Sequence, residues 1–133
     1  MEGHNANTTP LDLANAAADA ADSKKARDIV ILDMRGLVTY TDFLVIATGQ
    51  TPRQTKAVAE EVRRHLKAEL GVVARRVEGE REGEWILVDL LDIVFHCFTP
   101  QARDFYRLDR LWREAGRVEW QAGAAATSEE VMA

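Results

Sequence analysis

Apolar residues fall along this chain in two rhythms, one of three to four residues and one nearly continuous. The first begins with Leu13, Ala14, Ala17, Ala18 and Ala21, a single stripe on a helix. Thr9-Pro10-Leu11-Asp12 opens that helix: Thr caps a free backbone N–H, Pro suits the first helical position and Asp complements the dipole. Its alanines bury little area each, so the helix must either pack closely or fray. Lys24 and Lys25 suit its C-terminal end. Val58, Val62, Leu66 and Leu70 repeat every fourth residue with Arg, Lys and Glu opposite them. Thr51-Pro52-Arg53-Gln54 has the form of a capping box before this second helix, and Gly71 supplies the left-handed residue after it. Thr99-Pro100 repeats the cap-and-proline device and predicts one last helix, with Phe105, Leu108, Leu111, Trp112 and Ala115 as its stripe and Gly116 as its stop.

The continuous rhythm marks strands. Residues 28–34 and 42–49 are short, β-branched and apolar on both faces, as interior strands are. Residues 72–77 form a weaker, edge-like strand interrupted by Arg75-Arg76, and 78–84 is a charged turn with Gly79 and Gly83. Residues 85–89 and 93–98 lie so close in sequence that they pair antiparallel. Helix, two strands, helix, three strands and helix define an α/β (α+β) layer: a mixed, roughly five-stranded sheet flanked by helices. The expected organisation is a flexible N-terminus over 1–10, one domain over 11–116 and a disordered tail over 117–133, which is rich in Ala, Gly, Ser and Glu.

Composition narrows the function classes. At 133 residues and 47% hydrophobic content the chain has enough apolar side chains for one buried core. No apolar run approaches the roughly 20 residues that cross a bilayer, and no secretory signal is visible, so a cytoplasmic location is expected. The lone Cys97 excludes an internal disulfide and a multi-cysteine metal site. A net charge of −5 argues against a protein whose main task is to neutralise nucleic-acid phosphates. The charge is uneven. Residues 23–77 are net basic, whereas Glu78, Glu80, Glu82, Glu84, Asp89 and Asp92 face only Arg81 in 78–92. That run is either a solvated loop or an acidic docking surface for a basic partner.

Candidate chemistry is sparse. Asp33, Asp42 and Asp89 are the carboxylates a magnesium-dependent phosphoryl-transfer site would use, but none has a companion two residues away on the same strand face. Thr48-Gly49-Gln50-Thr51 before a capped helix suits a tight turn, and no P-loop or dinucleotide fingerprint accompanies it. His96 and Cys97 are adjacent on a strand and therefore face opposite sides, His96 with Val94 and Phe98, Cys97 with Ile93 and Phe95. His4 and His65 have no companions at ligand spacing, so neither a metal nor a cofactor is expected. The basic stretch 53–76 is the sole feature that favours RNA. Trp85, at the end of the acidic loop, and Tyr106, off the main stripe of the last helix, either cap the core edge or form an exposed aromatic hot spot.

Taken in order, the segment Asp42-Phe43-Leu44-Val45-Ile46-Ala47-Thr48-Gly49, then Arg53-Gln54, Val77-Glu78-Gly79, Trp85-Ile86-Leu87-Val88-Asp89 and Asp92-Ile93-Val94-Phe95-His96 resemble the ribosomal silencing factor (Iojap) family. Arg103-x-Phe105-Tyr106-x-Leu108-Asp109-x-Leu111-Trp112 completes the resemblance, which runs from about Leu13 to Ala115. Where that family usually carries Glu after Tyr-x-Leu, this chain carries Asp109, with the same charge and a shorter reach. The resemblance implies a fold similar to nucleotidyltransferases without their active site, and no enzymatic activity. It implies binding to the large ribosomal subunit through its ribosomal protein numbered fourteen, which blocks subunit joining and represses translation under nutrient limitation. The implied contact residues are Trp85, Tyr106, Leu108 and Asp109, with Glu78 and Glu84 beside them. A homodimer using an overlapping surface is a further expectation, as is the absence of specific nucleic-acid binding. The alternative is a metal-dependent nucleotidyltransferase-like enzyme.

Overall fold

The computed structural model describes residues 8–120. Its elements are α1 (Pro10–Ser23), β1 (Arg27–Asp33), β2 (Phe43–Thr48), α2 (Pro52–Leu70), β3 (Arg76–Glu78), β4 (Trp85–Asp89), β5 (Ile93–Phe98), α3 (Pro100–Tyr106), the single turn α4 (Leu108–Leu111) and β6 (Gly116–Val118). The strands form one mixed sheet in the order β3-β4-β5-β2-β1-β6. β2 and β5 run parallel, and the other neighbours are antiparallel.

Local sequence accounts for the helix boundaries. Thr9 caps α1 as expected, and Asp12 does more than complement the dipole: the two side chains bond each other's backbone N–H at 3.1 and 3.0 Å, closing a capping box. Thr51 accepts from the Gln54 N–H at 3.2 Å, but the Gln54 carboxamide reaches one residue beyond the expected partner, to the Gln50 N–H at 2.6 Å. Its amide nitrogen also donates to the Lys24 and Lys25 carbonyls, tying the end of α1 to the start of α2. Gly71 closes α2 in the left-handed region at φ 71°.

The sheet separates two apolar layers. α1 and α2 cover one face, burying Ile31, Phe43, Val45, Ile86, Val88, Phe95 and Cys97 against Ala14, Ala17, Ala18, Val58, Val62 and Leu66. The alanines of α1 let the helix sit close to the sheet, and Ala14, Ala17, Ala18 and Ala21 are fully buried there. α3 and α4 lie over the other face, where Leu32, Met34, Leu44, Ile46, Val94 and Phe98 meet Ala102 and Ala115.

Two expectations are corrected. The sheet has six strands, not five: β6 occupies Gly116–Val118 and pairs with β1, Ile31 opposite Val118, so the expected domain boundary at 116 runs through a strand. Beyond it Trp120 packs on the α1 layer and donates its indole N–H to Asp19 Oδ1 at 3.1 Å. Of the expected tail, residues 121–133 lie outside the described residues, as do residues 1–7 of the N-terminus. The last helix is also not continuous. Arg107, at φ 50°, breaks it into α3 and α4 and resets the helical phase. Phe105 and Leu111, expected in the buried stripe, are therefore 78% and 68% exposed, while Leu108 and Trp112 pack inward.

Candidate functional site

The β4–β5 register assembles an aromatic cluster. Trp85 lies opposite Phe98 and Leu87 opposite His96, so these four side chains share the face that α3 and α4 only partly cover. Trp85 stacks on Phe98 with ring centroids 4.9 Å apart, and His96 stacks on Phe98 at 6.2 Å. α3 brings Tyr106 to within 4.6 Å of the Trp85 ring, and Phe105 meets Tyr106 edge-on at 4.9 Å. Tyr106 is 50% exposed and Trp85 half-buried, and Leu108 packs against the same apolar layer. The Trp85 and Tyr106 rings finish the core edge against Phe98 while part of each stays open to solvent.

The backbone around Trp85 is tightly held. Gly79 sits at φ 86°, and a Cβ there would lie 1.9 Å from the Trp85 carbonyl oxygen. At the other end of the same loop Gly83 packs against Pro52 and Lys56 of α2, and its carbonyl accepts from the Thr55 hydroxyl. The loop that precedes the aromatic anchor is thus clamped at both ends.

His96 is 6% exposed, and the Trp85 indole N–H donates to its Nδ1 at 3.0 Å. Burial alone pushes its pKa down to about 4, so the imidazole is neutral with its proton on Nε2. Burial likewise pushes the Cys97 thiol up to about 12, leaving it an inert core residue.

The charged runs are partly neutralised by each other. Arg76 contacts Glu78 at 3.2 Å, Arg63 contacts Glu80 at 3.4 Å, and Arg75 contacts Asp89 at 3.2 Å. Arg64 holds Glu61 at 2.7 Å on α2. Four arginines of the basic 53–76 stretch thereby have carboxylate partners, which weakens that stretch as a phosphate surface. Glu78 lies opposite Leu87 and borders the aromatic face, and the carbonyl of Glu84 accepts from the Thr99 N–H at 3.0 Å. Asp109 belongs to α4, one residue after Leu108.

The candidate catalytic carboxylates do not converge. Asp33 pairs with Arg35 through two bonds of 2.9 and 2.7 Å, which hold its carboxyl below the usual range. In register it sits opposite Phe43, on the α1–α2 face, whereas Asp89 sits opposite Val94 on the other face. Asp89 is engaged by Arg75 and by the Leu91 N–H at 2.9 Å, so it fixes the β4–β5 turn. The backbone of Asp42 bonds Met34 and Asp92. Among the described residues no three His, Cys, Asp or Glu side chains group as metal ligands.

Sequence reasoning missed His96, Phe98 and Gly79 as members of the site. The alternation that paired His96 with Phe98 was visible, but the cross-strand register that sets both against Trp85 was not. For Gly79 the signal was a glycine inside the charged turn 78–84, without the contact that forbids a Cβ.

The geometry defines a small α+β domain whose mixed sheet carries a closed layer on one face and a half-open aromatic platform on the other. Known proteins are similar to this chain in both sequence and fold. Residues 7–132 match the family described as "Ribosomal silencing factor during starvation". A protein of Halalkalibacterium halodurans named Ribosomal silencing factor RsfS is 37% identical over 108 residues, 81% of this chain and 92% of that protein. The Bacillus subtilis protein of the same name is 39% identical over 107 residues, 80% of this chain and 90% of its own. The crystal structure of a Chromobacterium violaceum protein superposes with a TM-score of 0.77 at 35% identity, covering 88% of this chain and 96% of that one. The chain belongs to the ribosomal silencing factor family.

Proposed function

We propose that this chain is a non-catalytic translation silencer of the cytoplasm that binds the large ribosomal subunit through its ribosomal protein numbered fourteen. Occupying that surface blocks joining of the small subunit and lowers translation when nutrients are scarce. The reading is supported by the half-open aromatic platform of Trp85 and Tyr106, bordered by Glu78, in the segment where the family resemblance assigns partner contacts. Leu108, Asp109 and Glu84 complete the proposed contact set. The acidic border suits a basic ribosomal protein better than RNA. Free of the ribosome, the same face serves a homodimer, since an exposed aromatic surface is costly to leave in water.

A subunit-joining assay tests the proposal. Added protein lowers the yield of joined ribosomes, and Trp85→Ala or Tyr106→Ala relieves the block while leaving the fold intact. Each truncation weakens binding by on the order of 2 kcal/mol, about thirtyfold. Unchanged joining at saturating protein overturns the proposal.

A further inference from the structure

Trp85 occupies an unusual position for a docking aromatic. An indole at an interface normally offers its ring and its N–H together, and the N–H seeks an acceptor on the partner. Here the acceptor is internal: His96 Nδ1, 3.0 Å away on the neighbouring strand. The register opposite Leu87 on β4 and Ile46 on β2 fixes where the imidazole stands, and Phe98 stacks against both the imidazole and the indole. Leu87 and Ile46 flank His96 in register, and Tyr106 stands against the indole and the Phe98 ring.

Resting on the docking reading above, we infer that His96 is the positioning residue of the docking face and sets the chemistry of the partner group that Trp85 receives. With its N–H consumed, Trp85 meets the partner as an apolar plate. The group that fits over it is an aliphatic or aromatic side chain of a protein, and an acceptor such as a phosphate or carboxylate gains nothing there. For hydrogen bonding the platform still offers the hydroxyl of half-exposed Tyr106. Locking the indole before binding also removes the rotamer freedom it would otherwise lose on association.

The bond is read directly on the free protein. Trp85, Trp112 and Trp120 give three indole N–H resonances, and Trp85→Phe identifies the first by its loss. In the wild-type chain the Trp85 resonance is expected to exchange slowly with solvent and to shift with a midpoint near pH 4, where His96 takes up its proton. Fast exchange and a flat pH profile overturn the inference without any variant.

A double-mutant cycle on binding to purified large ribosomal subunits reads the consequence. His96→Phe, which keeps a ring and removes the acceptor, is expected to weaken binding about tenfold in the Trp85 background and not at all in a Trp85→Phe background. His96→Gln, which restores an acceptor, recovers part of the loss and serves in its place if His96→Phe fails to fold. Equal losses in both backgrounds, or none in either, overturn the positioning role. If the wild-type chain does not bind large subunits at all, the docking reading falls, and the exchange measurement still decides whether His96 holds the indole.

Discussion

On one side of the sheet, α1 and α2 exclude water from Ile31, Phe43, Val45, Ile86, Val88 and Phe95; on the other, α3 and α4 leave Trp85, Leu87, Leu108 and Trp112 half-buried and Phe105 and Leu111 outside. The difference lies in helix length and side-chain size. α2 runs 19 residues with a clean stripe, and α1 brings alanines that allow close approach, so together they span the sheet. α3 has 7 residues and α4 only 4, separated by a residue in the left-handed region. A closed face contributes stability, and a partly closed face retains apolar area that another molecule can still remove from water.

The largest effect should come from breaking the closed face. Phe95→Ala removes a fully buried ring from its centre and is expected to cost about 4 kcal/mol, read as a drop in Tm or denaturant midpoint. An equally large loss from a truncation of Phe105 would mean that the two faces are not different in kind.

Acid should act chiefly on the open face. The His96 pKa falls from 6.5 to about 4 in the folded chain, so the unfolded chain binds the proton more readily. The stability held by neutral His96 is complete above about pH 6.5 and is lost as the pH falls toward 4, by about 3 kcal/mol in all. Denaturant titrations between pH 7 and pH 4 read this slope, and His96→Phe should flatten that part of it.

Gly79→Ala sharpens the link between the acidic loop and the aromatic anchor. The new methyl group collides with the Trp85 carbonyl and occupies a left-handed φ, so about 2 kcal/mol of stability should be lost. Near-UV circular dichroism of the tryptophans should change with it. The same substitution at Gly36, which is open to solvent at φ 84°, should leave that spectrum alone.

The smallest effect is expected at the rim. Phe105→Ser and Leu111→Ser should each change stability by less than about 0.5 kcal/mol, because neither side chain is buried. If the open face serves the proposed homodimer, sedimentation velocity should instead show weaker self-association. A loss of stability comparable to that at Phe95 would place these residues in the core after all.

The contrast between the faces also explains what was legible in the sequence. The closed face was readable because its signals are local: the Val58, Val62 and Leu66 stripe, the caps at Thr9 and Thr51, and the β-branched runs of β2 and β5. The separation of His96 from Cys97 across the sheet followed from strand alternation alone. The open face depends on things no window of sequence contains. Arg107 has no composition that announces a left-handed break, so a single helix was expected where two exist. β6 was hidden because it is three residues long, although Val118 and Trp120 alternate as a strand would and both turn inward. Trp85 and Tyr106 were singled out by type and by resemblance. Their contact at 4.6 Å comes from the α3 placement, which the sequence pattern did not convey.

The hydrogen bond from Trp120 to Asp19 joins side chains 101 positions apart and has a consequence for how the chain matures. Synthesis delivers α1 and β1 well before the strand that covers the outer edge of β1. Until β6 arrives, the outer edge of β1 presents unpaired backbone groups, the kind of edge that recruits stray strands. Folding order is therefore built into the topology: the edge closes only when Val118 settles opposite Ile31 and Trp120 reaches α1. A nascent chain ending at Ala115 would carry every residue of the aromatic platform and still be prone to aggregate.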